Sequence, residues 1–520
     1  MGEGLLDFLV PRIHVKAVKT ALENQALLDK TAKITAVAKI EDAQHADQRM
    51  RIPTKISLSC NSEHNENPEI GDDTIELRKE TILKELGLDD LDNDIGIAIS
   101  HRRLSDGTIR QGPFIKGLER ALGELPKELL ESLALSTRLL VDSFPTTYSI
   151  YKPMLLLPPN AFSSASWTKL LATYPADSEA LRIVWNILGQ ATGTTHVAIN
   201  AGIPLSTASV SAQRLGPDSN SENENILRSP INLTPIYGDF GPPAMPARQR
   251  SPTREDFDSA LWVSTTQNGI HQVWAPLYTM FSRGNIREKT RLLKLPSVRS
   301  SISETEHGCT AVDLYAGIGY FAFSYRSAGI KKTLCWELNP WSIEGLRRGA
   351  ERNGWTTQIV SVIPQTNEEW IGFVENQLQD TDFLIFQQSN EEALPAISQL
   401  AWNTASLIPP IRHVNCGFLP SSRLSWKTAV RALDSELGGW IHAHENVGSS
   451  DIEGRKKEVM EEMQQYLDEW EAEKGCCGGY RRRVNCTHVE KVKTYAPGVE
   501  HVVFDVWVEG TRDAEDALSA

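Results

Sequence analysis

The chain is 520 residues long, 40% hydrophobic and 23% charged, with 35 Gly, 27 Pro and 7 Cys. That composition excludes wholesale disorder and leaves ample length to bury a core without disulfides, with about three domains expected at roughly 100–200 residues each. The formal net charge of -14 argues against indiscriminate nucleic-acid binding, because a phosphate backbone repels an acidic surface unless cations are gathered locally.

Residues 1–140 mix short apolar runs with charged helical stretches such as Asp73–Leu86. They read as an N-terminal α+β region without recognisable chemistry. Residues 141–254 form a second module, in which SFPTTYSIYKPMLLLPPNAF and THVAINAGIP read as short strands and turns. Its last part, Gly216–Arg254, is rich in Pro, Ser and Asn and reads as a linker, so the main boundary falls near 255. From 255 to 512 strand-like segments alternate with helical ones, and 513–520 is a tail. The strands are Thr310–Leu314, Lys332–Trp336, Asp382–Gln387, Ile411–Asn415 and Gly439–His444; the helices are Pro340–Arg352, Glu391–Leu400, Ser425–Leu437 and Asp451–Lys474. A hairpin, Val484–Thr494 with His501–Val508, follows. Five βα units and a hairpin imply an α/β, Rossmann-like parallel sheet with an antiparallel edge pair.

The seven cysteines are odd in number and scattered, which fits a reducing compartment better than a disulfide framework. Cys476, Cys477 and Cys486, near His488, lack the CxxC spacing of a zinc site and read as free thiols. No run approaches the ~20 apolar residues of a membrane span. The N-terminus has no basic leader, and Leu6 stands where myristoylation prefers Ser or Thr. A cytoplasmic protein without membrane or metal partners is expected. Two basic clusters, Arg283 to Lys294 and Arg481 to Lys493, read on charge alone as solvated faces, with RNA phosphates as the alternative.

The first unit of the sheet carries the chemistry. After the strand AVDL comes Gly317-Ile318-Gly319-Tyr320-Phe321-Ala322 and then an apolar helix. The two glycines permit a sharp turn and close backbone approach to a ligand, and the second strand ends in Glu337, placed to accept from ribose hydroxyls. A dinucleotide would need the helix N-terminus for its pyrophosphate, whereas S-adenosylmethionine presents a sulfonium that Asp313 can face. Asp313 also suits the plainer role of fixing the loop. Glu337 is followed by Asn339 as N-cap and Pro340 at the first helical position, with Asn353-Gly354 closing the helix. This layout favours S-adenosylmethionine.

WAPLYTMFSRGNIREKTRLL, DLYAGIGYFAFSYRSAG, CWELNPWSIEGLRRGAERNGW, RHVNCGFLPSSRLSW, GWIHAHENV and HVEKVKTYAPGVEHVVFDV together resemble the fungal family of tRNA wybutosine-synthesising protein 2, tRNA aminocarboxypropyltransferases. The resemblance spans about 255–510. It implies a class I S-adenosylmethionine-dependent transferase sheet in the C-terminal half. The implied reaction moves the 3-amino-3-carboxypropyl group of S-adenosylmethionine to a tricyclic guanosine derivative beside the anticodon of phenylalanine tRNA, a step of wybutosine biosynthesis. It also implies cofactor contacts at Ser282, Lys289 and Glu337 and at the pair after the third strand, here Ser389-Asn390, where family members with the simpler sequence carry Asp-Asn. On that alignment Thr356–Thr381 is an insertion.

Lys289 suits a methionyl carboxylate and Ser282 the same end of the donor; the plainer readings are a surface lysine and a helix N-cap. Asn415, Phe418 and Pro420, in the loop after the fourth strand, lie at the sheet edge where substrates bind, although Phe418 equally suits packing. His442 and His444 share one side of a strand and read as shaping the pocket floor rather than ligating metal. A tRNA guanosine N-methyltransferase of related architecture, a nicotinamide dehydrogenase and a non-catalytic tRNA-binding scaffold are the competing readings. No general base is singled out.

Overall fold

Gly4–Pro11 (β1) buries Leu6, Phe8 and Val10 on one face and Leu5 and Asp7 on the other, the period of two sending alternate side chains to opposite faces. The computed structural model describes residues 4–57 (except 12, 26, 30, 31 and 38–48), 72–101, 112–200, 233–361, scattered positions from 364 to 378, 380–404, 408–475 and 481–512. The chain divides into two compact units, Met1–Gly112 and Pro113–Ala520. In the first, β1 joins Thr35–Ala36 (β2), Arg49–Ile52 (β3) and Gly96–His101 (β4) in an antiparallel sheet ordered β2-β3-β1-β4. Asp7 is buried in β1 and accepts from Arg51 Nε at 2.8 Å.

The second unit begins with a four-stranded sheet, Ser149–Tyr151 (β5), Met154–Leu157 (β6), His196–Ile199 (β7) and Thr234–Tyr237 (β8), over a core that includes Phe114, Trp167 and Trp185. A hairpin follows, Val263–Gln267 (β9) with Ile270–Trp274 (β10). Its two-residue turn is Asn268-Gly269, both at positive φ, as the right-handed twist of a tight hairpin demands. Tyr151, Met154, Ala198, Phe240, Val263, Trp274 and Ile318 form one shared cluster. The domain boundary expected at 140 falls inside the helix Thr137–Asp142. The one expected at 254 follows a stretch whose described part is packed: β8 pairs with β7, Pro246–Arg250 is helical, and Arg248 Nε donates to Asp256 at 2.6 Å.

Eight strands make the main sheet: Thr310–Asp313 (β11), Lys332–Trp336 (β12), Thr357–Val360 (β13), Phe383–Phe386 (β14), Ile411–Cys416 (β15), Gly439–Gly448 (β16), Val484–Ala496 (β17) and Val499–Val508 (β18). Their order is β13-β14-β12-β11-β15-β16-β18-β17, parallel as far as β16 and antiparallel thereafter. β14, expected as the third strand, is the fourth of this sheet in chain order and pairs with β12. The segment Thr356–Thr381 is not a bare insertion, because its first residues supply the extra edge strand β13. Pro340–Arg352 forms the expected helix, with Asn339 Oδ1 accepting from Trp341 N at 3.0 Å and Gly354 at positive φ beyond its end. The helix expected over Ser425–Leu437 stops at Ala432, where Leu433 turns to extended backbone. Among the described residues no helix is long and apolar enough to cross a membrane.

Candidate active site

At β11 the strand order reverses, with β12 on one side and β15 on the other. Open α/β sheets form their ligand crevice at such a point, outside the carboxyl ends of the strands. The loop leaving β11 holds Gly317 at φ 55° and Gly319 at φ 86°. A Cβ on Gly319 would stand 2.6 Å from the Phe323 ring, so backbone sign and space both require glycine there.

Glu337, at the end of β12, organises this loop. Its Oε2 accepts from Gly317 N at 2.8 Å and its Oε1 from Asn339 N at 2.7 Å. Burial raises its pKa against those two backbone donors. A carboxylate offers about four lone-pair sites, so the acid that shapes the loop can still accept from a ribose. Asp313 is fully buried beneath it. Its Oδ1 accepts from Asn415 Nδ2 at 3.0 Å and from Tyr315 N at 3.3 Å, so the loop-fixing role holds. Asp313 Oδ2 and Asn415 Oδ1 have no hydrogen-bond partner. Unpaired buried acceptors are costly, and these two suit a cationic donor molecule. Burial pushes the Asp313 carboxyl up to about 6.

Lys289 closes the other side. It is 3% exposed, which removes the surface-lysine reading. Its Nζ donates to Gln272 Oε1 at 2.7 Å and Gln267 Oε1 at 2.9 Å, and lies 4.9 Å from the ring centres of both Phe281 and Tyr320. Among the described residues no carboxylate pairs with it, and burial alone pulls its pKa down to about 7. An ammonium among neutral oxygens and aromatic faces is a prepared site for an anion. Ser282 lies alongside, its N donating to Tyr320 Oη at 3.4 Å and its Oγ to Asn285 Oδ1 at 3.2 Å. It precedes a short 3₁₀ turn without capping it through its side chain.

On the third-strand side, Asn390 Nδ2 donates to Leu314 O at 3.0 Å, and Ser389 Oγ accepts from Glu391 N at 3.3 Å. Asn390 therefore reaches the end of β11, while Ser389 caps a turn. Phe418 stacks on Tyr315 at 4.9 Å between ring centres, and Pro420 is exposed next to it. Glu445, fully buried on β16, ties this loop down: its Oε1 accepts from Ser422 N at 2.7 Å and Ser421 Oγ at 3.0 Å.

Comparison with known proteins adds one decisive finding. Over 362 residues the chain is 36% identical to tRNA wybutosine-synthesizing protein 2 of Schizosaccharomyces pombe, covering 70% of this chain and 72% of that one. The chain belongs to the tRNA wybutosine-synthesizing protein 2 family. The Saccharomyces cerevisiae member is 29% identical over 383 residues, covering 71% of this chain and 75% of its own. The solved structure of P. horikoshii TYW2 in complex with MeSAdo aligns at 17% identity with a TM-score of 0.43, over 76% of this chain and 99% of that one. No family model matches the chain.

Asp313, Gly317, Gly319, Glu337, Asn390 and Asn415 lie at the β11 crevice, where hydrogen bonds join Gly317 to Glu337, Asp313 to Asn415 and Asn390 to Leu314 O. His442, expected at the pocket floor, is fully buried. Its Nδ1 is 2.7 Å from Asp505 Oδ1 and its Nε2 is 3.2 Å from His413 Nδ1, so both ring nitrogens are used inside the protein. His444 bonds through Nδ1 to His501 Nε2 at 3.0 Å and keeps an unpartnered Nε2, its ring 4.9 Å from Phe321.

The basic clusters also change character. Lys289 and Arg291 point inward, Arg482 is buried against the Glu509 carbonyl, and Arg481 pairs with Asp468. No group of three or more His, Cys, Asp or Glu among the described residues is arranged to hold a metal; Cys476 and Cys477 lie outside them. Gln267, Gln272, Phe281 and Tyr320 were not foreseen as the walls around Lys289. The alternation around Asn268-Gly269, which puts Gln272 on the face of Ile270 and Trp274, is the signal that marks the glutamine.

Proposed function

We propose that this protein transfers the 3-amino-3-carboxypropyl group of S-adenosylmethionine to the tricyclic wyosine precursor beside the anticodon of phenylalanine tRNA, in the cytoplasm. Membership of the tRNA wybutosine-synthesizing protein 2 family supports the pathway, and tRNA as acceptor follows from the family's name. The observation that carries the choice of group is Lys289, a buried ammonium with no acidic partner among the described residues.

The donor supplies a sulfonium whose departure as neutral methylthioadenosine needs no acid assistance. The chain's residues do the positioning. Glu337 accepts from the ribose hydroxyls while fixing the glycine loop. Asp313 faces the positive end of the donor. Lys289, steered by Gln267 and Gln272, holds the carboxylate, so that the aminocarboxypropyl carbon rather than the methyl faces the acceptor. Asn390 stands at the adenine side, and Phe418 with Tyr315 offers an aromatic face on the side of the base. Donor labelled at its carboxyl carbon, incubated with hypomodified phenylalanine tRNA, should leave its label in the RNA. Methyl label in the RNA instead would refute the assignment.

A further inference from the structure

Lys289 rides on the helix Ile286–Leu292, which has fewer than two turns and cannot hold a fixed orientation by its own hydrogen bonds in water. Something else must set where its side chains point. Arg291 follows Lys289 by two residues, about 200° further round the helix, and leaves on the side away from the aromatic pocket. Its Nη1 meets Asp505 Oδ2 at 2.5 Å and its Nη2 meets Asp505 Oδ1 at 3.0 Å. Its Nε and Nη2 also donate to Glu288 at 2.8 and 2.7 Å. Glu288 and Asp505 are buried. A bidentate guanidinium–carboxylate pair fixes distance and angle together.

Asp505 is itself held. It lies on β18 opposite His442 of β16 and accepts from His442 Nδ1 at 2.7 Å. His442 Nε2 faces His413 Nδ1 at 3.2 Å, and His413 Nε2 lies 3.0 Å from Ser301 Oγ. Because the Asp505 carboxylate can only accept, His442 donates to it through Nδ1 and turns Nε2 toward His413. The row runs across three adjacent strands of the main sheet, β15, β16 and β18. The short helix, whose Leu292 is buried in the core, whose Thr290 bonds Asn268 and whose Arg287 pairs with Glu490, is thus also tied to the sheet by a carboxylate 214 residues away in sequence.

We propose that Asp505 is a positioning residue which, through Arg291, fixes the orientation of the helix that places Lys289 against the donor's carboxylate. The inference rests on the reading of Lys289 given above and adds a residue that neither the motifs nor the cofactor contacts assign. The variant D505N is close in shape, can still accept from His442, and leaves Arg291 its counterion Glu288, so no buried charge is stranded.

The test is calorimetry on the full chain with two ligands, S-adenosylmethionine and 5′-methylthioadenosine, the second lacking a carboxylate. D505N should weaken the first by about tenfold and the second by less than about twofold, one tenfold step being about 1.4 kcal/mol. Unchanged affinity for both, or an equal loss for both, would overturn the proposal, since a general structural defect cannot tell the ligands apart. Should D505N fail to fold by circular dichroism, R291K keeps the charge without the fork, and the same split is expected of it; its absence there overturns the proposal equally. K289M run alongside separates the two readings. No split in K289M overturns the role of Lys289 itself, whereas a split in K289M without one in D505N overturns the positioning role alone.

Discussion

Glu337 combines two roles whose loss can be read separately. It holds Gly317 N and Asn339 N and is placed to accept from the donor's ribose. Hydrogen bonds to a charged acceptor contribute roughly 1.5–3 kcal/mol each, so Glu337→Ala should lower affinity for S-adenosylmethionine by at least about tenfold in calorimetry, with a modest fall in Tm from the loosened loop. Unchanged affinity in a folded variant would remove the ribose assignment. Lys289 makes a second claim at this scale. Burial pulls it down to about 7, and only its protonated form attracts a carboxylate, so donor affinity should fall as pH rises through that value, approaching tenfold per unit. Asp313, pushed up to about 6, loses its charge as pH falls below that value, which weakens its attraction for a sulfonium. Tyr320, raised by burial, stays neutral throughout. Affinity measured from pH 5 to 9 should therefore peak between about 6 and 7. The alkaline fall should shrink in Lys289→Met, where only the donor's own amine still titrates. A wild-type profile flat from 7 to 9 contradicts the account.

Among the elements, the loop after β15 is tied to β16 by a buried carboxylate. Glu445 Oε1 takes hydrogen bonds from Ser421 and Ser422; removing a buried acceptor strands those donors at roughly 1–3 kcal/mol. Glu445→Ala should lower Tm by a few degrees and slow transfer to tRNA, while S-adenosylmethionine binding changes little, because the loop borders the acceptor side. Equal losses in donor binding and transfer would place the loop elsewhere in the mechanism. Elements set by local chemistry were legible in the sequence: Asn339-Pro340 opens a helix and Asn353-Gly354 ends it, as cap chemistry requires. β13 was not, since a four-residue strand with three half-buried residues and one buried, soon after a helix cap, carries no periodic pattern. Nor was the inward turn of His442, because alternation shows which face of a strand a histidine occupies but not the partner strand that will use both its nitrogens.

For the whole molecule, the same limit applies to charge. Five cations in Arg283–Lys294 read as a cluster along the chain, yet folding sends Arg291 to Glu288 and Asp505 and Lys289 to two glutamines. Partners from other elements, Asp505 lying 214 residues from Arg291 and Gln267 22 from Lys289, draw these cations inward, and a linear sequence does not display them. What was legible was the conjunction of a strand, a glycine turn and an acid at the next strand's end, because these neighbours in sequence stay neighbours in the fold. Lys289 converts that general nucleoside site into one with a stated orientation, and orientation decides which sulfonium carbon reacts. The identity of the nucleoside released during turnover on hypomodified phenylalanine tRNA therefore tests the central claim most directly. Chromatography should find 5′-methylthioadenosine in amounts equal to the modified tRNA formed; S-adenosylhomocysteine in its place would contradict the account.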